Sequence, residues 1–315
     1  MVPASSDISV TISLYNKEKT IERALLSVLN QSSPPKNVII VDDGSTDHGS
    51  ELAENLARKY PSVSHIVQEN QGVSVARNRG VVEADTDYVC FLDADDVWEK
   101  NYMDNLLNLM SAEGNAEVYC LAYQMKSEIG YLKPHVALEE NHEGIVENPL
   151  NVYAKGYGLI HTSAICFRKE FFLDIGGFPE GVNFGEDLFV WMIACLKGKV
   201  AFSNKISVTL HKEQINSINR RKLHPYHVSY FTEHLNDFST SEQQAIRKFL
   251  IGNIYIQWAA AKLEGNVEQQ KTLQKYCFSL SKTSWLILTF SRLLPPSVFK
   301  FLKNRRTKKR LIGNR

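Results

Sequence analysis

Tyr88-Val89-Cys90-Phe91-Leu92-Asp93-Ala94-Asp95-Asp96 is the stretch on which the fold turns: a run with the composition of a buried strand, 88–92, stops in three carboxylates. Asp93 and Asp95 lie two apart on an extended backbone and therefore point the same way. Hard oxygen ligands this close suit Mg2+ or Mn2+ holding a phosphate-bearing substrate. Taken without its surroundings, the stretch also reads as an acidic turn capping a helix that starts near Trp98, because Asp is common at turns and N-caps.

Working outward, the chain alternates strand and helix. Ile8–Leu14 is a β-branched, alternating strand, and the apolar positions Ile21, Ala24, Leu25, Val28 and Leu29 repeat with helical spacing until Pro34-Pro35. Residues 37–41 form a second strand closed by Asp42-Asp43-Gly44-Ser45-Thr46-Asp47. A helix over 51–60, a strand over 63–67 and a helix over 73–82 lead into 88–92. This rhythm predicts an α/β domain with a parallel sheet covered on both faces, in which ligands sit beyond the carboxyl ends of the strands. Three polar loops fall at that edge: Tyr15-Asn16, 42–47 and 93–96. No GxGxxG follows the first strand and no GxxxxGK[ST] occurs, so a dehydrogenase-type dinucleotide site and a P-loop both lose support.

From about Ala116 the pieces shorten, with polar insertions over 126–133 and 139–147 of the kind that carry specificity. A strand over 163–168, a short helix over 169–175 ended by Gly176-Gly177, a helix over 187–196 and a strand over 207–210 delivering His211 follow. After Arg221 the pattern is helical: 224–238, 241–263, 267–280 and an amphipathic piece over 285–303. The expected organisation is one unit over 1–220, with a nucleotide-binding half (1–115) and an acceptor-binding half (116–220), plus a helical region over 221–315 with a basic tail.

The formal net charge of +1 conceals an asymmetry. Lys300, Lys303, Arg305, Arg306, Lys308, Lys309, Arg310 and Arg315 follow the last acid, Glu268, so everything before them is net acidic. A basic end on an acidic body points to an anionic surface; a membrane fits better than nucleic acid, for which no recognition motif is present. Five cysteines without CxxC spacing indicate neither a zinc knuckle nor a disulfide framework, and a reducing compartment suits them. The N-terminus lacks a basic flank and a long apolar core, which argues against a signal peptide. The apolar run over 285–294 is interrupted and too short to span a bilayer, which takes about 20 residues.

Five motifs occur in order: Ile12-Ser13-Leu14-Tyr15-Asn16, Val41-Asp42-Asp43-Gly44-Ser45-Thr46-Asp47, Gly72-Val73-Ser74-Val75-Ala76-Arg77-Asn78-Arg79-Gly80, Phe91-Leu92-Asp93-Ala94-Asp95-Asp96 and Gly185-Glu186-Asp187. Together, over roughly residues 8–215, they resemble glycosyltransferase family 2. These are inverting enzymes of the GT-A nucleotide-diphospho-sugar transferase fold, a Rossmann-like mixed sheet flanked by helices; here a C-terminal helical extension follows. The resemblance implies that Tyr15 stacks on uracil with Ser13 and Asn16 nearby, that Asp43 accepts from the base N–H, and that Asp42 closes the ribose side. Arg77 approaches the nucleotide or pairs with one of the acids that hold it. Asp93 faces ribose and metal-bound water, Asp95 the metal (Mn2+ or Mg2+), His211 the metal or diphosphate, and Asp96 is expected mainly to cap the next helix. Asp187 is the implied base, with Glu186 orienting it or binding the acceptor; a plain N-capping role for Asp187 competes. One departure stands out: relatives commonly carry Arg or Lys six residues after this Asp, and here Ile193 stands there. Ser13 likewise replaces a proline frequent in relatives, a change the strand end tolerates.

The implied activity is metal-dependent transfer of a hexose or N-acetylhexosamine from a UDP-sugar to a hydroxyl of a glycan. The tail suggests a lipid-linked acceptor at the inner face of a bacterial cell membrane, in surface-polysaccharide assembly such as O-antigen or capsule, with the enzyme cytoplasmic and peripherally bound. Two rivals are a silent nucleotide-sugar-binding partner and a sugar-nucleotide nucleotidyltransferase. Against the second, Tyr15-Asn16-Lys17-Glu18 is no Gly-rich triphosphate grip. Sugar, linkage and oligomeric state have no transferable code in the chain.

Overall fold

In the computed structural model, residues 3–128, 130–211 and 225–301 are described. The first part alternates as the sequence predicts: β1 (Ile8–Leu14), α1 (Ile21–Leu29), β2 (Asn37–Asp42), α2 (Gly49–Lys59), β3 (Val63–Val67), α3 (Val73–Glu83) and β4 (Tyr88–Asp93). β1 lies between β2 and β4, and β3 is outside β2, all in parallel. Along β1 the alternation separates two jobs. Ile8, Val10, Ile12 and Leu14 are fully buried in one core with Ile21, Ala24, Leu25 and Val28 of α1, the i, i+3, i+4, i+7 face of an amphipathic helix.

The opposite face of β1 carries only the small Ser9, Thr11 and Ser13, and this is what lets α3 approach closely. A Cβ on Gly80 would overlap the Thr11 side chain. Gly80→Val is therefore expected to destabilise the protein by about 1–3 kcal/mol through overpacking, read as a lowered urea midpoint.

The second part changes the sheet from parallel to mixed. β5 (Val97–Trp98), α4 (Tyr102–Ala112), β6 (Val118–Ser127), β7 (Gly130–Leu132), β8 (Glu143–Ile145), α5 (Pro149–Gly156), β9 (Ile165–Arg168), α6 (Lys169–Asp174), α7 (Glu186–Lys197) and β10 (Val200–His211) follow in order. The strands run in space as β3-β2-β1-β4-β9-β6-β10-β5, with β7 on β6 and β8 on β10. β9 is antiparallel to both β4 and β6, whereas β6 and β10 are parallel.

Three local expectations are corrected. No helix starts near Trp98: the chain leaves the acidic turn into β5, which pairs antiparallel with Thr209 and Val208 of β10, and α4 begins only at Tyr102 behind the N-cap Asn101. The longer β6 replaces the short pieces expected after Ala116; its first six residues are all buried and so show no alternation. The strand before His211 is twelve residues long, its register shifting between Ser203 and Ile206 and again before Val208, so that the polar Ser203-Asn204-Lys205 interruption is a bulge.

The C-terminal helices are α8 (Tyr226–Glu233), α9 (Thr240–Leu263), α10 (Val267–Leu280) and α11 (Lys282–Ser291). The helix expected over 285–303 is interrupted: α11 ends at Ser291 and helical residues resume over 296–301, while the basic residues from Lys303 onward lie outside the described residues, as do 212–224. These helices share the second core with the sheet: Phe231, Phe249, Trp258 and Leu288 belong to one apolar cluster with Phe91, Phe167, Phe178 and Trp191. All five cysteines are free and buried, and among the described residues no helix is long and apolar enough to cross a membrane.

Candidate active site

The strand register brings three of the motifs, those over 12–16, 41–47 and 91–96, to one sheet edge. Ser13 of β1 stands beside Val41 of β2 and Asp93 of β4, and Leu14 beside Asp42. Just past β1, Asn16 takes a left-handed conformation (φ 53°), which Asn tolerates better than most residues. Its Oδ1 accepts from Thr46 N (2.7 Å) and Asp47 N (3.3 Å), and its own N–H donates to Ser45 Oγ (3.0 Å). Asn16 thus staples the loop after β1 to the loop after β2, and Tyr15 beside it is 46% exposed at the edge.

Asp42 and Asp43 both build loops. Asp42 Oδ1 accepts from Ser45 N (2.9 Å), while its buried Oδ2 has no hydrogen-bond partner among the described residues. Asp43 Oδ1 accepts from Gln68 Nε2 (2.8 Å) and Gln71 N (2.9 Å), and Oδ2 from Gly72 N (2.8 Å). A carboxylate offers about four acceptor positions, so Asp43 keeps one for an incoming N–H donor.

The acidic stretch is a β-turn closed by Asp96 N–H donating to Asp93 O (3.0 Å). Asp93 Oδ1 pairs with Arg77 at 2.8 Å. Burial works to raise its pKa, but Arg77, His161 and Lys17 outweigh that and hold Asp93 below the usual carboxylate range. Asp95 Oδ2 pairs with Lys17 Nζ at 2.5 Å, and its carbonyl accepts from Arg23 at 2.7 Å. Asp96 does not cap a helix. It is buried, accepting from Ser163 Oγ (2.5 Å) and from His211 N (3.1 Å). Burial first, then the neighbouring Asp93 and Asp95, push its pKa up to about 8. Its carboxyl therefore ties the turn to the start of β9 and the end of β10.

Asp93 and Asp95 have the donor chemistry for a divalent cation. Mg2+ is commonly held by one or two carboxylates, its other ligands being water and substrate phosphates. Among the described residues no group of three or more His, Cys, Asp or Glu side chains is arranged around one metal position, so Asp93, Asp95 and His211 are not a preassembled trio. Two carboxylates completed by a bound diphosphate fit.

Across from the acids stands α7. Its N-cap is Gly185 (φ 85°), which puts Glu186 and Asp187 in the first helical turn, so the N-cap role proposed against Asp187 belongs to Gly185. Asp187 Oδ1 accepts from Leu188 N at 2.6 Å, and a carboxylate at a helix N-terminus is favoured by the helix dipole. Arg77 joins the two sides: besides Asp93 it meets Glu186 at 3.9 Å, and its guanidinium lies over the Phe178 ring at 5.1 Å. Next to it, Asn78 donates to Phe178 O (2.8 Å) and accepts from Phe178 N (2.9 Å), clamping the loop before α7. Ile193 faces the apolar core at 6% exposure and so offers no contact to a phosphate.

Several residues that position the site were not singled out from the sequence. Lys17 had a local signal, a cation directly after β1. Ser163 and His161 had none, because their contacts with the acidic turn exist only once β9 pairs with β4. His227 of α8 was equally hidden. It is fully buried, with Nε2 3.0 Å from Asn253 Oδ1 of α9, and its Nδ1 lies so near Gly185 that a Cβ there would collide with it. Phe184 O accepts from Tyr226 N at 3.0 Å, fastening α8 to the same turn.

Burial lowers the His227 pKa from 6.5, although Asn253, Asp187 and the Gly185 backbone pull the other way. The sign follows: a His that stays neutral when folded contributes stability that is full above about pH 6.5 and is lost as pH falls toward the folded value. Between about pH 7 and about pH 5 the urea midpoint should drop less steeply in His227→Gln than in the unaltered protein. Parallel slopes would remove His227 from the acid sensitivity.

A mixed sheet whose parallel strands β1, β2 and β4 end in polar, acid-rich loops, with carboxylates on a facing helix joined to them through Arg77, has the architecture of the GT-A nucleotide-diphospho-sugar transferase fold. Solved structures agree: S. aureus TarS 1-349 in complex with UDP-GlcNAc superposes with a TM-score of 0.73 at 20% identity, over 91% of this chain and 87% of that one. The mannosyltransferase PcManGT from Pyrobaculum calidifontis, in complex with GDP-Man and Mn2+, gives 0.58 at 17% identity, over 92% and 89%. The model of the family "Glycosyl transferase family 2" matches residues 9–175, just over half of the chain, and the protein belongs to that family. Among curated relatives, the cholesterol galactosyltransferase of Borreliella burgdorferi is 29% identical over 213 residues, 64% of this chain and 59% of its own length. Glycosyltransferase GlyA of Streptococcus pneumoniae is 27% identical over 210 residues, 63% of this chain but 29% of its own length.

Proposed function

We propose that the protein is an inverting glycosyltransferase that moves a hexose or N-acetylhexosamine from a UDP-sugar to a hydroxyl of a glycan. The observation that carries this reading is the Arg77 bridge, which holds the nucleotide-side acid Asp93 and the acid next to the candidate base, Glu186, in one site. Tyr15 offers its ring to the uracil face, Ser13 and Asn16 line that end, and Asp43 has an acceptor position left for the imide N–H. Asp42 closes the ribose side, and Asp93 reaches ribose. A divalent ion, Mn2+ or Mg2+, held by Asp95 and Asp93 with His211 nearby, would neutralise charge on the departing diphosphate. Asp187 takes the acceptor proton as the hydroxyl oxygen forms its bond to the anomeric carbon; the bond from that carbon to the diphosphate oxygen breaks and its electron pair leaves with UDP. Attack from the Asp187 side, opposite the leaving group, inverts the anomeric centre.

The structural neighbour in complex with UDP-GlcNAc supports a UDP-sugar donor, and the relatives named as glycosyltransferases support sugar transfer. We place the enzyme at the cytoplasmic face of the membrane, acting on a lipid-linked acceptor, with residues 1–115 serving the donor and 116–220 the acceptor. UDP release from a panel of UDP-sugars, with Mn2+ and with a chelator, tests the reading. Turnover of at least one donor, lost on chelation, is expected; no binding or turnover of any UDP-sugar with metal present would sink it.

A further inference from the structure

α11 turns much of its apolar side outward. α11 is fastened to the body through Leu288, which is buried, and through Trp285, whose ring meets Phe278 at 5.3 Å. Tyr255 Oη donates to Ser284 O (3.1 Å) at its start, and Phe299 packs on Trp258 at 5.8 Å beyond its end. The tryptophan of this stretch therefore faces the protein.

What faces away is apolar. Leu286, Ile287, Phe290, Leu293, Leu294 and Phe301 are 44–82% exposed, and the first five recur at i, i+1, i+4, i+7 and i+8, one side of a helix continued through the turn after it. Clustered exposed apolar side chains of this size mark an interaction surface. Charge selects the occupant. Lys282, Arg292 and Lys300 flank the patch, and no acid follows Glu268 to the end of the chain. The chain beyond Phe301 is too basic to cover the patch itself, with Leu302, Leu311 and Ile312 its only large aliphatic residues. A second copy would bring the same cations against these.

We propose that this outer face of α11 and the turn after it is a docking surface for an anionic lipid bilayer. Apolar side chains enter the boundary between headgroups and acyl chains while Lys282, Arg292 and Lys300 meet anionic headgroups, the arrangement of an interfacial helix. This deepens the lipid-linked acceptor reading by naming the surface that would bring the enzyme to such an acceptor, and it rests on that reading only for the acceptor.

The test is flotation of the full chain with vesicles of phosphatidylethanolamine and phosphatidylglycerol, and with vesicles of phosphatidylcholine alone. Binding to the anionic vesicles at least about tenfold tighter than to the neutral ones is expected, weakening as salt rises. Phe290→Glu with Leu293→Glu should abolish it while leaving the melting temperature and UDP release in solution unchanged. Lys300→Gln with Arg292→Gln should weaken it by about thirtyfold, the effect of roughly 1 kcal/mol for each cation. No flotation with anionic vesicles overturns the proposal, as does equal flotation with neutral ones. So does a dimer in solution that the Phe290→Glu, Leu293→Glu variant dissociates. Flotation without UDP release from any donor would instead sink the donor assignment and leave this surface standing.

Discussion

Asp187→Asn is expected to lower kcat by about 10²–10⁴-fold with UDP affinity unchanged, the loss typical of a missing general base. The amide is isosteric, so the first turn of α7 and its Leu188 N–H contact can persist. Only the capacity to take the acceptor proton goes. The measurement is single-turnover sugar transfer alongside calorimetric UDP binding. An unchanged rate would move the base elsewhere, and a lost UDP affinity would mean that Asp187 holds the donor.

Arg77→Met should have the largest effect on stability. The side chain is 7% exposed and compensates Asp93 directly and Glu186 at longer range. Removing the buried partner of this part-buried pair leaves Asp93 only weakly compensated by His161 and Lys17, at a cost toward the lower end of the about 3–5 kcal/mol typical of buried pairs. Methionine keeps much of the volume over Phe178, so the loss is electrostatic more than steric. Urea denaturation gives the stability change. Adding Asp93→Asn in the same chain should recover part of it, because the orphaned carboxylate is then neutral; no recovery would mean that packing on Phe178 dominates.

The sheet's first four strands and the acids at their ends were legible because β1 alternates, the runs of β2 and β4 are short and bounded by turn residues, and the intervening helix α1 has a clear 3.6 period. β6 was not: Val118, Tyr119, Cys120, Leu121, Ala122 and Tyr123 are buried on both sides, and a run with no alternation looks the same in a helix or a strand. Asp96 was misread for a related reason. Its neighbours in sequence suggest a cap, whereas its partners Ser163 and His211 arrive from 67 and 115 residues away. Asn78 is the same case: two hydrogen bonds to Phe178, 100 residues on, make it a clamp that no local pattern announces. Motif order picked out the candidate acids; the residues that hold them depend on pairings that only the folded sheet creates.

His227 against Gly185 bears on how such enzymes can be recombined. The segment matching the family model ends at residue 175, ahead of the candidate base, and the turn carrying that base is walled on one side by Arg77 of α3 and on the other by α8. On the roles proposed above, donor chemistry and acceptor choice are therefore not separable cassettes in this chain. A chimera that keeps the first 175 residues and takes the rest from a relative exchanges the base's setting together with the acceptor surface, and a chimera cut at 220 parts the base from one of its walls.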